Sequence, residues 1–195
     1  MYQPFPLNFV FTLIEPSPVV LISTRDQGKD NVFTLSWLMP LGFDDDGSSN
    51  IAIMTGGWNH SAHALLKNKQ CVVHIPTAGQ METVIAIGTV SGADTDKFTQ
   101  FGLKSEEAHA INCPIIQGCA AYIECRVADY IEQHGIVVLQ PVAAGADPLE
   151  NQQPKFHAVG DGRFFTAGQV YDYRRLMWNK LPPQCQTESE AAQQP

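Results

Sequence analysis

The chain carries little positive charge. It has 12 Lys and Arg against 20 Asp and Glu in 195 residues, a formal net charge of −8. This composition provides no basic field for a polyanion, so we expect no nucleic-acid binding. No Lys or Arg precedes Arg25, and Pro4, Pro6, Pro16 and Pro18 interrupt the apolar N-terminal stretch. We therefore expect neither a secretory signal nor a membrane-spanning helix there.

The sequence also lacks the motifs of several enzyme classes. Its five cysteines form no CxxC pair, and it contains no HExxH, no GxSxG, no glycine-rich dinucleotide loop and no P-loop. His60 and His63 alone are a weak hint of a metal site, and we expect no metal. Cysteines without disulfide spacing fit a reducing compartment, so we predict a cytoplasmic protein.

The length and composition fit one globular unit. A hydrophobic fraction of 44% over 195 residues is sufficient for a single well-buried core and short for two. Residues 184–195 contain almost no apolar side chain, and we expect them to be disordered. The predicted organisation is one domain over residues 1–183 followed by a disordered tail.

Short β-branched runs separated by turn residues dominate the pattern. Strands are predicted at residues 19–24, 31–35, 50–55, 70–75, 122–131 and 136–142, with a hairpin over 156–165. Short helices are predicted at 61–68, 80–87 and 94–101, beginning at Ser61 and Asp94 in the first and last cases and stopping at Gly88 in the second. We therefore predict a mainly β protein, a closed or nearly closed β-barrel with a few short α-helices.

Several segments, in this order, resemble the flavin-reductase-like branch of the FMN-binding split barrels, which includes flavoredoxin. They are residues 18–24 with Gly28 and Asn31, Thr34-Leu35-Ser36-Trp37-Leu38, Asn59-His60-Ser61, residues 71–76, Ser91-Gly92, Asp96-Lys97-Phe98 and Glu124-Cys125. Each motif is weak alone, but their order and spacing over roughly residues 10–180 are specific. The resemblance implies an FMN-binding split β-barrel of Greek-key type that works as a homodimer with flavin at the interface.

The resemblance places the flavin ring against the end of a strand. Backbone leaving that strand at Thr34, Leu35 and Ser36 can offer alternating donors and acceptors to the polar ring edge. Small Ser36 lets the backbone approach, and Trp37 or Leu38 shields a face. The alternative is that Trp37 is a core residue, as aromatic residues near strand ends usually are.

The resemblance implies a phosphate site farther along the chain. Asn59, His60 and Ser61 stand where a helix should begin, and Lys97 is the best nearby cation. Thr55, Trp58, Asn31 and Ser91 complete the predicted cofactor-binding set. Ordinary roles compete with these: Ser61 as a plain helix cap, Lys97 as a solvated helix lysine. His60 and His63 occupy a region where many relatives carry an arginine.

The resemblance also points to one residue for catalysis. His134 lies in the predicted turn between the two long strands, where relatives commonly carry a histidine facing the flavin and the arriving nicotinamide. A solvated turn histidine is an equal alternative.

The function implied is an FMN-dependent oxidoreductase like the NAD(P)H:flavin reductases. NADH or NADPH would reduce the flavin at N5, and electrons would pass to a downstream oxygenase or another acceptor. One alternative is a flavoredoxin-like electron carrier or flavin-binding protein without NAD(P)H turnover. Another is a partner-binding module that has kept the barrel and lost the flavin.

Overall fold

The structure, a computed structural model, describes residues 2–14, 17–43 and 47–186. Residues 187–195, most of the predicted tail, lie outside the described residues. The strands are β1 (Gln3–Pro4), β2 (Val20–Asp26), β3 (Lys29–Leu35), β4 (Leu38–Phe43), β5 (Ser49–Met54), β6 (Gln70–Ile75), β7 (Ser105–Glu107), β8 (Pro114–Ile116), β9 (Ala121–Ile131), β10 (Ile136–Ala146), β11 (Phe156–Ala158) and β12 (Phe164–Thr166). The α-helices are α1 (Phe11–Ile14), α2 (Ala62–Asn68), α3 (Met81–Thr89), α4 (Lys97–Gln100) and α5 (Arg174–Met177).

One antiparallel sheet organises the molecule. Its strand order is β3-β2-β6-β9-β10-β5-β4, with β1 added beside β10. The two edge strands, β3 and β4, are consecutive in the chain and joined only by Ser36 and Trp37. Three Cα steps from Leu35 to Leu38 span at most about 11 Å, so the sheet must curl until its edges approach. Among the described residues no ladder joins these edges, which leaves a seam along one side of the barrel. The predicted mainly β barrel is confirmed in this open form.

The interior of the curled sheet forms the main core. Every strand of the sheet from β2 to β10 contributes alternating side chains to it, for example Val20 and Ile22 from β2 and Leu139 from β10. These side chains are almost completely buried. Each large aliphatic side chain among them contributes about 1.5–3 kcal/mol relative to an exposed position, which makes this cluster the main stabilising element.

The first hairpin is tighter than its polar sequence suggests. We predicted a loop over residues 25–30, but β2 continues to Asp26 and β3 starts at Lys29. Only Gln27 and Gly28 form the turn, with φ of 50° and 77°. Positive φ at both central positions is the geometry that matches the twist of a two-residue hairpin.

Helix α3 covers the outer face of β2 and β3. Val84 and Ile87 pack with Leu21, Val32 and Phe156 in a second buried cluster. The predicted end of this helix at Ile87 was wrong by two residues, because the helix continues through Gly88 to Thr89. Gly88 has a different use: a Cβ there would lie 3.2 Å from the Thr34 Cβ, so glycine lets the helix end approach β3 closely.

The third predicted helix is shorter than expected. Helix α4 begins at Lys97, and its N-cap is Asp96 rather than Asp94. The Asp96 carboxylate accepts hydrogen bonds from the Thr99 backbone N–H at 3.2 Å and from the Thr99 hydroxyl at 2.7 Å. Both bonds lower the pKa of Asp96. The stronger cap lies two residues downstream of the predicted one, which fixes Lys97 as the first helical residue.

The C-terminal segment lies loosely on the outside. From Gly168 to Met177 the chain is exposed, including Tyr171 and Leu176. It returns to the body at Gln184, whose amide donates to the backbone oxygens of Asn8 at 2.9 Å and Gly47 at 3.4 Å. Across the described ranges, no helix is both long and apolar enough to span a bilayer.

Candidate functional site

A cleft of about 540 Å³ opens where β3, the start of α2, the end of α3 and α4 meet. Seven predicted cofactor-binding residues line it: Thr34, Trp58, Asn59, His60, Ser61, Ser91 and Lys97. The sequence analysis missed the other lining residues, which are Phe33, Gly88, Thr89 and Val90. The cleft is lined by four chain segments, at residues 33–34, 58–61, 88–91 and 97. Their spacing in the sequence gave no signal that they lie close together, because the packing of α3 on β3 brings them together.

Lys97 is a buried cation in this cleft. Its side chain is 3% exposed, which rules out the alternative of a solvated helix lysine. The ammonium donates one hydrogen bond, to the Ile87 backbone oxygen at 3.1 Å, and among the described residues no carboxylate pairs with it. Burial lowers the pKa of Lys97. An ammonium has three donors, so the two remaining ones are available to an anion in the cleft.

Asn59 and Ser61 form a second polar wall. The Asn59 carboxamide oxygen accepts the Ser61 backbone N–H at 3.1 Å, and its nitrogen lies 3.4 Å from the Thr55 hydroxyl. Ser61 precedes α2 but makes no capping hydrogen bond with its side chain, so its role as a plain helix cap is not supported. Ser61 is 4% exposed, and its hydroxyl makes no hydrogen bond in the described part of the chain. The residue lines the cleft.

Thr34 is held in place by the helix opposite it. Its hydroxyl donates to the Val84 backbone oxygen at 2.6 Å. The hydroxyl hydrogen is therefore not available to a ligand, and the side chain contributes the wall and a free lone pair. Gly88 completes this contact by leaving room for the Thr34 side chain.

Trp58 connects the cleft to the turn that carries His134. Its indole lies on Gly56 and Gly135, and a Cβ at either glycine would overlap the ring. The Thr55 backbone N–H also donates to the Gly135 oxygen at 2.8 Å. Trp58 is nevertheless 68% exposed, so one face of the ring remains open.

His134 lies beside this contact rather than in the cleft. It is the last residue of the 3₁₀ turn Glu132–His134 and is exposed. Within the described residues its side chain makes no hydrogen bond. The neighbouring Gly135 contacts Trp58, which lines the cleft, so His134 is one residue away from that contact. Both interpretations of this histidine stay open.

The residues at the seam play two roles: the leucine side chains are buried in the core, and the backbone of Ser36 is unpaired. Leu35 and Leu38 belong to the main core, whereas Trp37 is 64% exposed, which makes the alternative of a core Trp37 wrong. The Trp37 oxygen accepts from the Met54 N–H at 2.9 Å. Ser36 forms no hydrogen bond in the described ranges, through either backbone or hydroxyl. Its donors and acceptors are therefore available at the open side of the barrel.

Asn31 lies in a neighbouring cavity rather than in the cleft. Its side-chain oxygen accepts the Val32 N–H at 2.8 Å, and its amide packs on Gly92, where any Cβ would overlap it. This contact explains the glycine of the Ser91-Gly92 motif.

Metal ligation has no visible support. In the part of the chain that the structure describes, no three His, Cys, Asp or Glu side chains are grouped to hold a metal ion. The His60 and His63 rings lie 6.0 Å apart between centroids.

Comparison with known proteins identifies the family to which this fold belongs. The profile of the flavin reductase like domain matches residues 14–165, which is most of the chain. The protein belongs to the flavin reductase like domain family. An uncharacterized protein of Escherichia coli, YddH, is 25% identical over 86% of this chain and 96% of its own length.

Solved structures share the fold of this flavin-reductase-like protein. An FMN-binding domain of a flavin reductases-like enzyme from Shewanella baltica has a TM-score of 0.79 at 21% identity, covering 88% of this chain and 97% of that one. Flavoredoxin from Methanosarcina acetivorans has a TM-score of 0.69 at 19% identity, over 80% and 87% of the two chains. Nitrilotriacetate monooxygenase component B from Bacillus cereus has a TM-score of 0.69 at 11% identity, over 80% and 86%.

Proposed function

We propose that this protein is an FMN-binding oxidoreductase that accepts electrons from NADH or NADPH. The observation that carries the proposal is Lys97, a buried ammonium without a carboxylate partner in a cleft lined by Ser61 and Asn59. A buried charge is costly unless a counter-charge or hydrogen bonds stabilise it. The 5′-phosphate of FMN, the cofactor named in the Shewanella baltica structure, supplies both.

The donors around the cleft match a phosphate. Lys97 contributes two N–H groups, and the hydroxyl of Ser61, which also lines the cleft, contributes a third donor. Charge-assisted hydrogen bonds of this kind are about twice as strong as neutral ones. The residues present therefore fit the phosphate without the arginine that many relatives carry.

The flavin ring would lie along the seam between β3 and β4. Ser36 has unpaired backbone groups there, and its small side chain leaves the approach open, while Trp37 and Trp58 expose aromatic faces for stacking. When bound, the flavin would supply the electron acceptor at N5. The residues of this chain would position the ring and hold its polar edge, which needs no side-chain acid or base.

A flavoredoxin-like electron carrier is the second candidate. The exposed position of His134 favours it, because no described contact ties that histidine to the cleft lining. The similarity in fold to the Methanosarcina acetivorans flavoredoxin is compatible with this alternative. In either case the acceptor would be another protein, and the fold shared with monooxygenase component B makes an oxygenase a reasonable one to test.

We also propose a homodimer that works in the cytoplasm. An outward apolar face at the seam includes Trp37, Met39 and Met54, all at least 38% exposed. Exposed apolar patches of this type mark association surfaces. The cytoplasmic assignment is supported by Cys71, Cys113, Cys119 and Cys125, which are buried thiols outside any disulfide.

Anaerobic absorption spectroscopy tests the function directly. The purified protein, loaded with FMN, is mixed with NADH or NADPH in the absence of oxygen. Bleaching of the flavin absorption band after mixing with either nucleotide would support reductase activity. A flavin band that persists with both nucleotides, yet bleaches with dithionite, would select the electron carrier. Absence of FMN binding would contradict both candidates.

A further inference from the structure

The indole of Trp58 joins two segments that are distant in sequence. It contacts Gly56, shortly after β5, and Gly135, which ends the turn between β9 and β10. A Cβ at either glycine would overlap the outer, six-membered ring of the indole, at Cζ3 for Gly56 and at Cη2 for Gly135. Both backbones therefore approach this ring so closely that each of the two positions requires glycine while Trp58 keeps its place.

The β9–β10 turn has few other contacts with the cleft side of the molecule. Residues 131–134 are exposed, and the side chains of residues 132–134 make no hydrogen bond within the described ranges. Gly135, by contrast, is buried, and its oxygen accepts the Thr55 N–H at 2.8 Å. Beyond the pairing of β10 with its neighbours, that backbone bond and the Trp58 ring fix the turn beside the cleft.

The same ring belongs to the cleft that the proposed function gives to the phosphate, here the phosphate cleft. Trp58 lines it together with Asn59 and Ser61. The Asn59 N–H donates to the Gly56 oxygen at 2.9 Å, and the Asn59 side chain accepts the Ser61 N–H at 3.1 Å. The ring is therefore part of the same short loop as the phosphate donors. Since Trp58 is 68% exposed, a ligand in the cleft would add contacts to it and restrict its motion.

We propose that Trp58 is a positioning residue. Flavin bound in the phosphate cleft holds the indole, and the indole holds the β9–β10 turn in the place from which the turn acts on reduction of the flavin. The proposal rests on the proposed function, because it takes the phosphate to lie beside Asn59 and Ser61. A displacement of about 1 Å in a positioned group can slow a reaction about a hundredfold, so loss of this contact should affect the rate more than the affinity.

Gly56→Ala displaces the ring without changing Trp58 or the turn. The φ of Gly56 lies outside the left-handed region, so alanine brings no backbone strain, and the atoms nearest to the added Cβ all belong to the indole. Gly135→Ala is a poorer probe, because its φ of 62° would strain any other residue. Gly57→Ala is the matched control, since a Cβ there would meet no atom within 4 Å.

Hydrogen exchange measures the order of the turn directly. Exchange of the backbone amides of residues 132–136 is followed by mass spectrometry with and without FMN. In wild type and Gly57→Ala, FMN should slow exchange in this turn. In Gly56→Ala, exchange there should be about tenfold faster and FMN should slow it little, because the turn opens locally more readily. Exchange in β2 and β6 should stay at the wild-type level, which separates this effect from a general loss of stability.

The rate of flavin reduction is the second readout. Protein saturated with FMN is mixed anaerobically with saturating NADH or NADPH. Gly56→Ala should lower the limiting rate by about tenfold to a hundredfold, the effect of a misplaced group. Its dissociation constant for FMN should change little, and Gly57→Ala should match wild type in both quantities. A contact that only stabilises the fold would not produce this difference between rate and affinity.

Two further variants test whether the indole is the cause. In Gly56→Ala/Trp58→Ala the ring that the added methyl group displaces is absent, so this double variant should be no slower than Trp58→Ala. Trp58→Phe keeps an aromatic ring for the ligand but lacks the outer ring that contacts the two glycines. It should therefore lose protection of the turn and reduction rate as Trp58→Ala does.

The outcomes separate this proposal from the proposed function. Wild-type exchange and rate in Gly56→Ala, or wild-type behaviour of Trp58→Phe, would overturn the positioning role and leave the reductase intact. If FMN slows exchange in the turn and Gly56→Ala abolishes this effect, but neither nucleotide reduces wild type, the coupling through Trp58 is supported and the reductase is overturned. Failure of wild type to bind FMN would overturn both.

Discussion

Lys97 shows how one side chain links the fold to the proposed chemistry. A lysine at the first position of a short helix is ordinarily solvated, and its burial here follows from α3, whose Ile87 oxygen accepts its hydrogen bond. The ammonium is therefore held in place before any ligand arrives. A charge held in this way costs little reorganisation on binding, which increases its contribution to affinity.

Replacing this lysine should discriminate between flavins with and without a phosphate. In Lys97→Met the apolar stem remains and the charge is lost. We expect FMN affinity to fall by about tenfold to a hundredfold, since hydrogen bonds to charged groups contribute about 1.5–3 kcal/mol. Riboflavin affinity should stay the same, as fluorescence titration of both flavins would measure. Lys104→Met, at an exposed position, serves as the control. Equal losses for both flavins would place the phosphate elsewhere.

Ser36 tests the position of the ring. Its side chain is half-buried at the seam, so Ser36→Leu can be accommodated outside the core. We expect this variant to lose flavin binding, because the added bulk blocks approach to the unpaired backbone. Far-ultraviolet circular dichroism and the melting temperature should remain close to wild type, and Ser36→Ala should retain flavin. A leucine variant that keeps its flavin would contradict the seam as the ring site.

His134 tests whether the turn beside Trp58 takes part in reduction. We expect His134→Ala to slow the reduction of bound flavin by NADH or NADPH by about tenfold, the effect of losing one positioning hydrogen bond. FMN affinity should change little, because the side chain lies outside the phosphate cleft. Stopped-flow absorbance would measure the rate. An unchanged rate would identify His134 as a solvated turn residue.

At the scale of elements, the His74 side chain links its own strand, β6, to β8 and β2 through its two ring nitrogens. From β6, its Nε2 accepts the Ile116 N–H of β8 at 2.9 Å, and its Nδ1 lies 3.3 Å from the Leu21 oxygen of β2. The acceptor role of Nε2 assigns the proton to Nδ1, which then donates to Leu21. The ring is completely buried, and burial lowers the pKa of His74 to about 3.

This histidine should make stability depend on pH. The folded state binds its proton less readily than the unfolded chain, whose histidine pKa is about 6.5. Above pH 6.5 the neutral histidine makes its full contribution to the free energy of unfolding. As the pH drops from 6.5 towards 3, the free energy of unfolding falls by about 1.4 kcal/mol per pH unit. Urea unfolding at pH 7 and pH 4.5 should show a loss that is about 2–3 kcal/mol smaller in His74→Gln than in wild type. The exposed-site variant His109→Gln should keep the wild-type loss. Identical losses in wild type and His74→Gln would contradict a neutral buried histidine.

The elements that sequence reasoning located, and those it missed, differ in physical character. The first hairpin, β6 and the β9–β10 pair have recognisable β-branched patterns because one face of each lies in the main core. In β2 and β6 the opposite face is buried as well, so their apolar runs are nearly continuous. Strand β4 was not predicted, because it contains Pro40 and Gly42, which disfavour strands and are tolerated here at an edge position.

The sequence predicted those parts of the site that belong to short sequence motifs. It did not predict the parts that depend on contacts between segments distant in sequence. The Asn59-His60-Ser61 and Asp96-Lys97-Phe98 motifs identified cleft residues by resemblance. The burial of Lys97, the part of Gly88 in the approach of α3 to β3, and the contact of Trp58 with Gly135 all depend on segments distant in sequence. Periodicity carries no information about such contacts.

At the scale of the whole molecule, two regions hold most of the exposed large apolar side chains. One is the outward face at the seam, with Trp37, Met39 and Met54, and the other is the C-terminal segment, with Tyr171 and Leu176, which is 83% exposed. Aromatic residues and methionine are enriched at subunit interfaces. A twofold dimer would bury both regions and bring residues of two chains to each flavin site.

Sedimentation equilibrium of the purified protein should therefore report about twice the chain mass of 21.4 kDa. Truncation before Tyr171 should weaken both association and flavin retention, because it removes the C-terminal region of the interface.

Two point variants locate the contact more finely: Met39→Glu and Leu176→Glu should each shift the equilibrium towards monomer and weaken FMN binding, since a buried unpaired carboxylate is costly. Leu149→Glu, at a position 75% exposed in a different loop, should leave the dimer intact. A wild-type monomer that retains FMN would contradict the shared site, whereas a dimer unaffected by Met39→Glu and Leu176→Glu would place the interface on another face.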